Sequence, residues 1–249
     1  MSKTASNIIS VLNILFVIFF SAILSLCFMD SRNIYPVMLE TIPLAFVLFF
    51  SLLANIIIKV KHHSHTPEGE LLPLLFLFLS LECSSVLPFF YTCSKIMVLN
   101  PLVMNVIIRF SFISTSLLFV FSSLMYMGSN FKQLVNYLII SLCFSFLLSV
   151  LAPGSNSSDA SSINFGSVYD VYLNYAIYMI NVVSIISFIV AIINDKTRRN
   201  LKRCITYILL VIGNAGIFLS SATLVNVIIF PLIFAIASIM LIITSKESL

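Results

Sequence analysis

The chain has 249 residues, of which 60% are hydrophobic and only 9% carry a charge. A soluble domain carries about 25% charged residues, so this composition, with a mean hydropathy of +1.14, excludes a water-soluble globular protein. The net charge of +4 does not indicate nucleic-acid binding, because in a membrane protein its meaning depends on where the basic residues lie.

Eight apolar stretches are long enough to cross the bilayer, since a helical span needs roughly 20 residues for about 30 Å of hydrocarbon. They cover 8–28, 37–58, 71–93, 101–127, 133–151, 173–193, 205–221 and 224–244. The last two are separated only by Ser220 to Thr223; we interpret them as a tight hairpin, whereas merging them would give seven spans. The predicted fold is all-α: residues 1–249 form one integral membrane domain, a polytopic bundle of about eight transmembrane helices.

Basic residues predict the orientation, because Lys and Arg are retained on the cytoplasmic side. With the amino terminus inside, the outer segments hold only Arg32 and Lys95. The cytoplasmic segments hold Lys3, Lys59, Lys61, Lys132, Lys196, Arg198, Arg199, Lys202, Arg203 and Lys246. Both termini are therefore predicted to be cytoplasmic. The first stretch is longer than a signal-peptide core and no small-residue cleavage site follows it, so we interpret it as an uncleaved span.

The cytoplasmic charges include a dense run, the predicted inner basic loop. It consists of Lys196, Arg198, Arg199, Lys202 and Arg203. Such a run is expected to lie on the anionic inner leaflet, where each charge contributes about 1 kcal/mol of attraction. Topological anchoring explains it fully, and docking of a partner protein is a further interpretation.

Two opposite charges, Glu82 and Arg109, fall inside predicted spans three and four. Intramembrane charges are costly, which makes them candidates for function. At 1.5 Å per residue they lie at depths of roughly 16 Å and 12 Å from the outer ends of adjacent helices, so they could meet. Three interpretations remain: a structural ion pair, counter-charges in a ligand pocket or proton-linked step, and charges that never meet.

Acidic and aromatic residues gather at the predicted outer face and are outer ligand-site candidates. They are Asp30, Tyr35, Glu40, Tyr169, Asp170, Tyr172 and Tyr175. An acidic, aromatic mouth suits a cationic ligand through charge and cation–π attraction. The alternative is an interfacial aromatic belt with acidic residues tolerated on the outer side.

Other polar residues favour structural roles. The asparagines within spans are expected to be interhelical hydrogen-bond partners; they are Asn13, Asn55, Asn105, Asn181, Asn214 and Asn226. The loop histidines His62, His63 and His65 favour a solvated connection over a metal site. No Walker loop, zinc signature, nucleophile elbow or dinucleotide fingerprint is present, so we expect no conventional active site, metal or cofactor.

Three functional hypotheses remain, and no motif assigns a family. The first is a ligand-sensing domain of the cell (inner) membrane, which uses the outer mouth and signals through a separate cytoplasmic or membrane partner. The second is a small transporter or transporter subunit, against which we count the lack of a second pair of intramembrane acids and of evident broken helices. The third is a membrane enzyme acting on lipid, for which only the histidine loop offers clustered ligands. Besides the lipid bilayer and such a protein, no partner is expected; the sequence does not indicate an oligomeric state.

Overall fold

The computed structural model describes residues 3–30, 34–60, 68–128, 131–151, 168–219 and 223–246. In these ranges the chain is all-α, with one 3-10 turn, Cys83–Ser85, between α3 and α4. The helices are α1 (Lys3–Asp30), α2 (Ile34–Val60), α3 (Glu68–Glu82), α4 (Val86–Ser94), α5 (Pro101–Tyr126), α6 (Phe131–Leu151), α7 (Val168–Asn194), α8 (Arg198–Leu219) and α9 (Leu224–Lys246).

Seven helical segments of the described ranges are long and apolar enough to cross a membrane. One of them, Leu71–Ser94, combines α3, the 3-10 turn and α4, whereas the apolar part of α6, Asn136–Leu151, is shorter. The last two predicted spans are separate helices, since α8 ends at Leu219 and α9 begins at Leu224. The predicted all-α, multi-pass membrane bundle is confirmed. The eighth crossing and the cytoplasmic termini stay predictions.

The surface and the interior of the bundle have the polarity that a bilayer requires. Large apolar side chains such as Ile18, Phe49 and Ile140 are exposed on the outside. Serines, threonines and asparagines are buried, among them Ser51 and Thr115. Because lipid offers no hydrogen-bond partner, polar groups of this kind must face other helices.

Six helices form a closed ring in which each contacts the next: α2, α3, α5, α7, α8 and α9. Outside the ring, α1 packs against α2, α3 and α4, and α6 packs mainly against α5. Helix α6 turns buried Ser145 and Ser149 inward and exposes apolar residues such as Phe144 and Leu147. The hydroxyls of Ser145 and Ser149 donate to backbone carbonyls of their own helix, so these small side chains allow close packing without leaving a polar group unpaired.

Hydrogen bonds between side chains hold α1, α2 and α3 together. The Ser10 hydroxyl donates to Asn55 Oδ1 at 2.9 Å, and the Asn13 amide donates to the Ser51 hydroxyl at 3.3 Å. Ser51 in turn donates to the Phe76 carbonyl at 2.8 Å. Asn13 and Asn55 therefore have the interhelical role that the sequence predicted.

Helices α8 and α9 approach so closely that only glycine fits at two positions. A Cβ atom at Gly213 would lie 2.9 Å from the backbone Cα of Phe234, and one at Gly216 would overlap the Phe230 ring. The obstacle at Gly213 is backbone, whereas the obstacle at Gly216 is a side chain. This difference allows the packing to be tested directly.

We expect Gly216→Ala to lower the free energy of unfolding by about 1–3 kcal/mol, because overpacking outweighs the gain of about 1 kcal/mol in helix propensity. Phe230→Leu should restore much of this loss by removing the ring edge. The same replacement should not rescue Gly213→Ala, whose Cβ meets the α9 backbone. Unfolding in mixed micelles measures each variant. Equal rescue of both glycine variants would contradict this account of the packing.

The eighth crossing can be tested with reporters fused to the two ends of the chain. If α6 crosses the bilayer, the chain has eight spans, and both termini lie in the cytoplasm. A fluorescent protein should then fold at either end, and a phosphatase that is active only outside the cytoplasm should be inactive at both. Phosphatase activity at the carboxy terminus alone would indicate seven crossings.

Candidate functional site

A cavity of ≈ 360 Å³ opens at the predicted outer end of the bundle. It lies between α2, the 3-10 turn and α4, α5, α8 and α9. Its lining residues are Leu39, Glu40, Pro43, Leu44, Ser85, Val86, Phe89, Phe112, Gly216, Ile217, Phe218, Asn226 and Val227. The volume falls within the range of small-molecule sites, about 300–1,000 Å³.

The cavity wall is apolar, with few polar groups. Among the described residues of the lining, Glu40 near the start of α2 is exposed and is the only ionisable side chain. Three phenylalanines, Phe89, Phe112 and Phe218, supply aromatic surface from α4, α5 and α8. The rings of Phe112 and Phe218 pack edge to face with centroids 5.3 Å apart. One carboxylate and several aromatic faces are the groups that recognise an organic cation.

A buried polar cluster, Glu82, Thr115 and Asn214, forms a layer beneath the cavity. Glu82 is 1% exposed, and side-chain hydrogen bonds join it to Thr115 and Asn214. Each member lies three or four residues from a cavity-lining residue on its own span, which puts the two on one helix face. The pairs are Glu82 with Ser85, Thr115 with Phe112, and Asn214 with Phe218. The polar cluster therefore lies about one helical turn below the cavity floor.

The third span is interrupted at this level. Helix α3 ends at Glu82, and the 3-10 turn Cys83–Ser85 leads into α4. Pro88 lacks the amide hydrogen that would bond to the carbonyl four residues earlier, which accounts for a local change of winding. The sequence showed no evident broken helix, and in the structure the third span runs from Leu71 to Ser94 with this 3-10 turn as a local change of winding. Pro88 could have indicated the interruption, because a proline within a span disturbs the turn before it.

Arg109 is 7% exposed and lies on α5, three residues before Phe112. Glu82 forms side-chain hydrogen bonds with Thr115 and Asn214. Thr115 lies six residues beyond Arg109, about 9 Å further along α5. Both predicted intramembrane charges are thus buried in neighbouring helices, and their mutual contact stays a prediction. Sequence reasoning missed Thr115 as a partner because the chain offers many other polar residues of similar depth.

The outer ligand-site candidates do not all reach the cavity. Glu40 lines it, whereas Tyr35, Tyr172 and Tyr175 are exposed and are absent from its lining. The side chains of Asp30, Tyr169 and Asp170 lie outside the described residues. The structure therefore brings one acidic candidate to the cavity, together with phenylalanines that the sequence did not single out.

The inner basic run is a turn followed by a helix rather than a loop. Thr197 caps α8, because its hydroxyl accepts the Asn200 amide hydrogen at 3.4 Å, and the helix begins at Arg198, seven residues before the predicted start. Asn200 donates to the carbonyls of Ala191 and Asp195, which closes the end of α7. Lys196, Arg198 and Arg199 are exposed and Lys202 is half-buried.

Arg203 departs from its predicted position in an exposed loop. It is buried, and its guanidinium donates to the Thr244 carbonyl at 3.3 Å, near the end of α9. A cation at a helix carboxy terminus is favoured by the helix dipole. Arg203 therefore joins the inner ends of α8 and α9.

The loop histidines lie outside the described residues, so the only feature that favoured lipid chemistry has no structural description. Within the described part of the chain, no group of three or more His, Cys, Asp or Glu residues could hold a metal ion.

Neither a family model, nor a curated protein, nor a solved structure matches this chain.

If Glu82 and Arg109 form an ion pair, Arg109→Leu should lower the free energy of unfolding by about 3–5 kcal/mol, because it leaves a buried charge uncompensated. Replacing both residues with leucine should recover much of that loss. Unfolding of the two single variants and the double variant in mixed micelles gives the coupling energy. A double variant whose loss equals the sum of the single losses would show that the two charges do not interact.

Proposed function

We propose that this chain is a ligand-sensing protein of the cell (inner) membrane. In this proposal, a small organic cation binds from the outside in the cavity, and a separate partner protein reads the occupied state at the inner basic turn. The observation that carries the proposal is the cavity itself, in which a single carboxylate and three phenylalanines meet from four spans.

The chemistry of the lining defines the ligand class. Glu40 attracts positive charge, and the faces of Phe89, Phe112 and Phe218 stabilise a cation that has lost part of its water. The remaining wall is largely aliphatic and favours an apolar substituent. A quaternary or tertiary ammonium compound with an apolar group combines these properties.

The α8–α9 hairpin supplies a route from the cavity to the inner face. Both helices line the cavity, through Gly216 and Phe218 on α8 and Val227 on α9. Their close packing at the glycines and the bond from Arg203 to Thr244 favour movement as one unit. The hairpin carries exposed basic residues at the start of α8. A ligand that binds one position of the hairpin more tightly than another would shift the hairpin toward that position and move these charges relative to the partner protein.

Three probes test the ligand class with the purified protein in nanodiscs. Choline should bind more tightly than 3,3-dimethylbutan-1-ol, its neutral isostere, because only choline carries the charge. Benzyltrimethylammonium should bind more tightly than choline, because its benzyl group buries more apolar surface. Binding is measured by calorimetry, with protection against thermal unfolding as a second readout.

Two variants locate the site. Glu40→Gln should weaken choline binding about tenfold, equivalent to about 1.4 kcal/mol, and remove the preference for choline over its isostere. Asp30→Asn removes one acidic charge from α1, and no residue of α1 is found among the described lining, so this variant should leave binding unchanged. Ser85→Leu should block all three probes by filling the cavity floor. Equal weakening by Glu40→Gln and Asp30→Asn would indicate only a general surface charge, and would contradict a site at Glu40.

Transport is the second candidate, and the interruption of the third span favours it, because broken helices border the sites of many transporters. The sealed layer beneath the cavity favours sensing, since Glu82 is buried and absent from the cavity lining. Proteoliposomes distinguish the two. Uptake of labelled choline that Ser85→Leu abolishes would establish transport, and binding without uptake would support the sensor.

A further inference from the structure

The polar cluster beneath the cavity contains oxygen atoms whose hydrogen-bonding capacity is unused. Glu82 Oε2 and Asn214 Oδ1 are buried and have no hydrogen-bond partner within the described structure. Because Asn214 Oδ1 is unpartnered, its amide nitrogen is the atom that donates to the Glu82 carboxylate. The two side chains that carry the unpartnered oxygens are therefore in direct contact.

Burying two unpartnered oxygen atoms destabilises the fold unless a further group or ion binds to them. A buried polar atom without a partner costs about 1–3 kcal/mol, and a buried carboxylate costs more unless a cation compensates it. Buried charges in proteins are therefore paired with other charges or coordinate metal ions. The Thr115 hydroxyl donates its hydrogen to the Ser111 carbonyl at 2.9 Å, which leaves the lone pairs of its oxygen for a cation. The carboxylate, the amide oxygen and this hydroxyl oxygen together offer three kinds of oxygen ligand.

We propose that Glu82, Thr115 and Asn214 form a sodium-ion site within the membrane domain, directly beneath the outer cavity. Glu82 Oε2 and Asn214 Oδ1 are direct ligands, and the Thr115 oxygen is the third. The cluster holds a single carboxylate, which forms hydrogen bonds with Thr115 and Asn214. A monovalent cation leaves this site neutral whereas a divalent cation does not. The proposal therefore predicts that Glu82 forms no ion pair with Arg109. Both unpartnered oxygens are buried, so a bound ion would exchange its water for oxygen ligands of the protein.

The position of the site supports this assignment. The three ligands come from α3, α5 and α8, so a bound ion would join three members of the helix ring. Helix α3 passes into the 3-10 turn after Glu82, so the carboxylate lies where the winding of the third span changes. Irregular backbone within membrane spans borders the ion sites of many transporters, and the 3-10 turn begins at the residue after Glu82.

Thermal unfolding tests the proposal with the full chain in nanodiscs. Sodium chloride replaces potassium chloride at constant total salt. The melting temperature should rise with sodium and saturate, by about 5–10 °C when sodium reaches 100 times its dissociation constant. No difference between sodium and potassium would overturn the proposal. Stabilisation by acid alone, with no sodium effect, would also overturn it and would assign the cluster to a proton.

Matched variants separate the site from general effects on folding. Asn214→Ala should abolish the sodium-dependent shift. Asn181→Ala is the control, because Asn181 on α7 is equally buried, at 5% exposed, and its Oδ1 also lacks a partner. It should retain the shift, and loss of the shift in both variants would contradict a site at Asn214.

Two further variants cover the remaining ligands. Glu82→Gln removes the charged ligand and should abolish the sodium-dependent shift. Thr115→Val preserves volume and should raise the sodium dissociation constant at least tenfold. The second variant tests the site even if Glu82→Gln does not fold. An unchanged sodium dissociation constant in Thr115→Val would remove Thr115 from the site. Glu40→Gln should leave the sodium shift intact, so the outcome is independent of whether the outer cavity binds an organic cation.

Discussion

The bilayer interior offers no hydrogen-bond partner to a polar group, and the whole bundle follows from this constraint. Every span is helical, so that its backbone is satisfied internally. Polar side chains that remain within the spans turn toward other helices, as Ser10, Asn13, Ser51 and Asn55 do between α1, α2 and α3. The same constraint makes exceptions informative. Polar atoms that are buried without a partner, such as Glu82 Oε2, mark places where the helices alone do not satisfy the chemistry.

Two of these atoms, Glu82 Oε2 and Asn214 Oδ1, lie about one helical turn from the cavity. Above the polar cluster the helices separate around an apolar space lined by Glu40 and three phenylalanines. At the cluster, α3 gives way to the 3-10 turn. Below it the bundle is filled by large buried side chains such as Phe76 and Phe119. The cavity, the polar cluster and the packed side chains therefore follow one another along the axis of the bundle.

Some of the site could be read from the residues themselves. Glu82 and Arg109 stand out because charges are rare in apolar spans, and Glu40 stands out in the same way near the start of α2. Thr115 and Phe112 do not stand out, because serine, threonine and phenylalanine are common in this chain. These residues belong to the site because they face α3 and α8 at the depth of the polar cluster and the cavity. That depends on the rotation and vertical position of each helix, which neighbouring helices decide.

The sequence by itself determined the solvent and the helical class, because hydrophobic length and backbone satisfaction in lipid depend on local composition. It also determined that a few charges are buried. The separation of the last two spans, for which one merged helix was the alternative, came from the structure. Only the tertiary structure decided which residues meet. Packing brings Glu82 into contact with Thr115 and Asn214, and it places the Arg203 guanidinium at the end of α9. It also leaves a cavity beside Glu40. These contacts join residues on different helices, and their geometry depends on side-chain packing that no single stretch of the chain encodes.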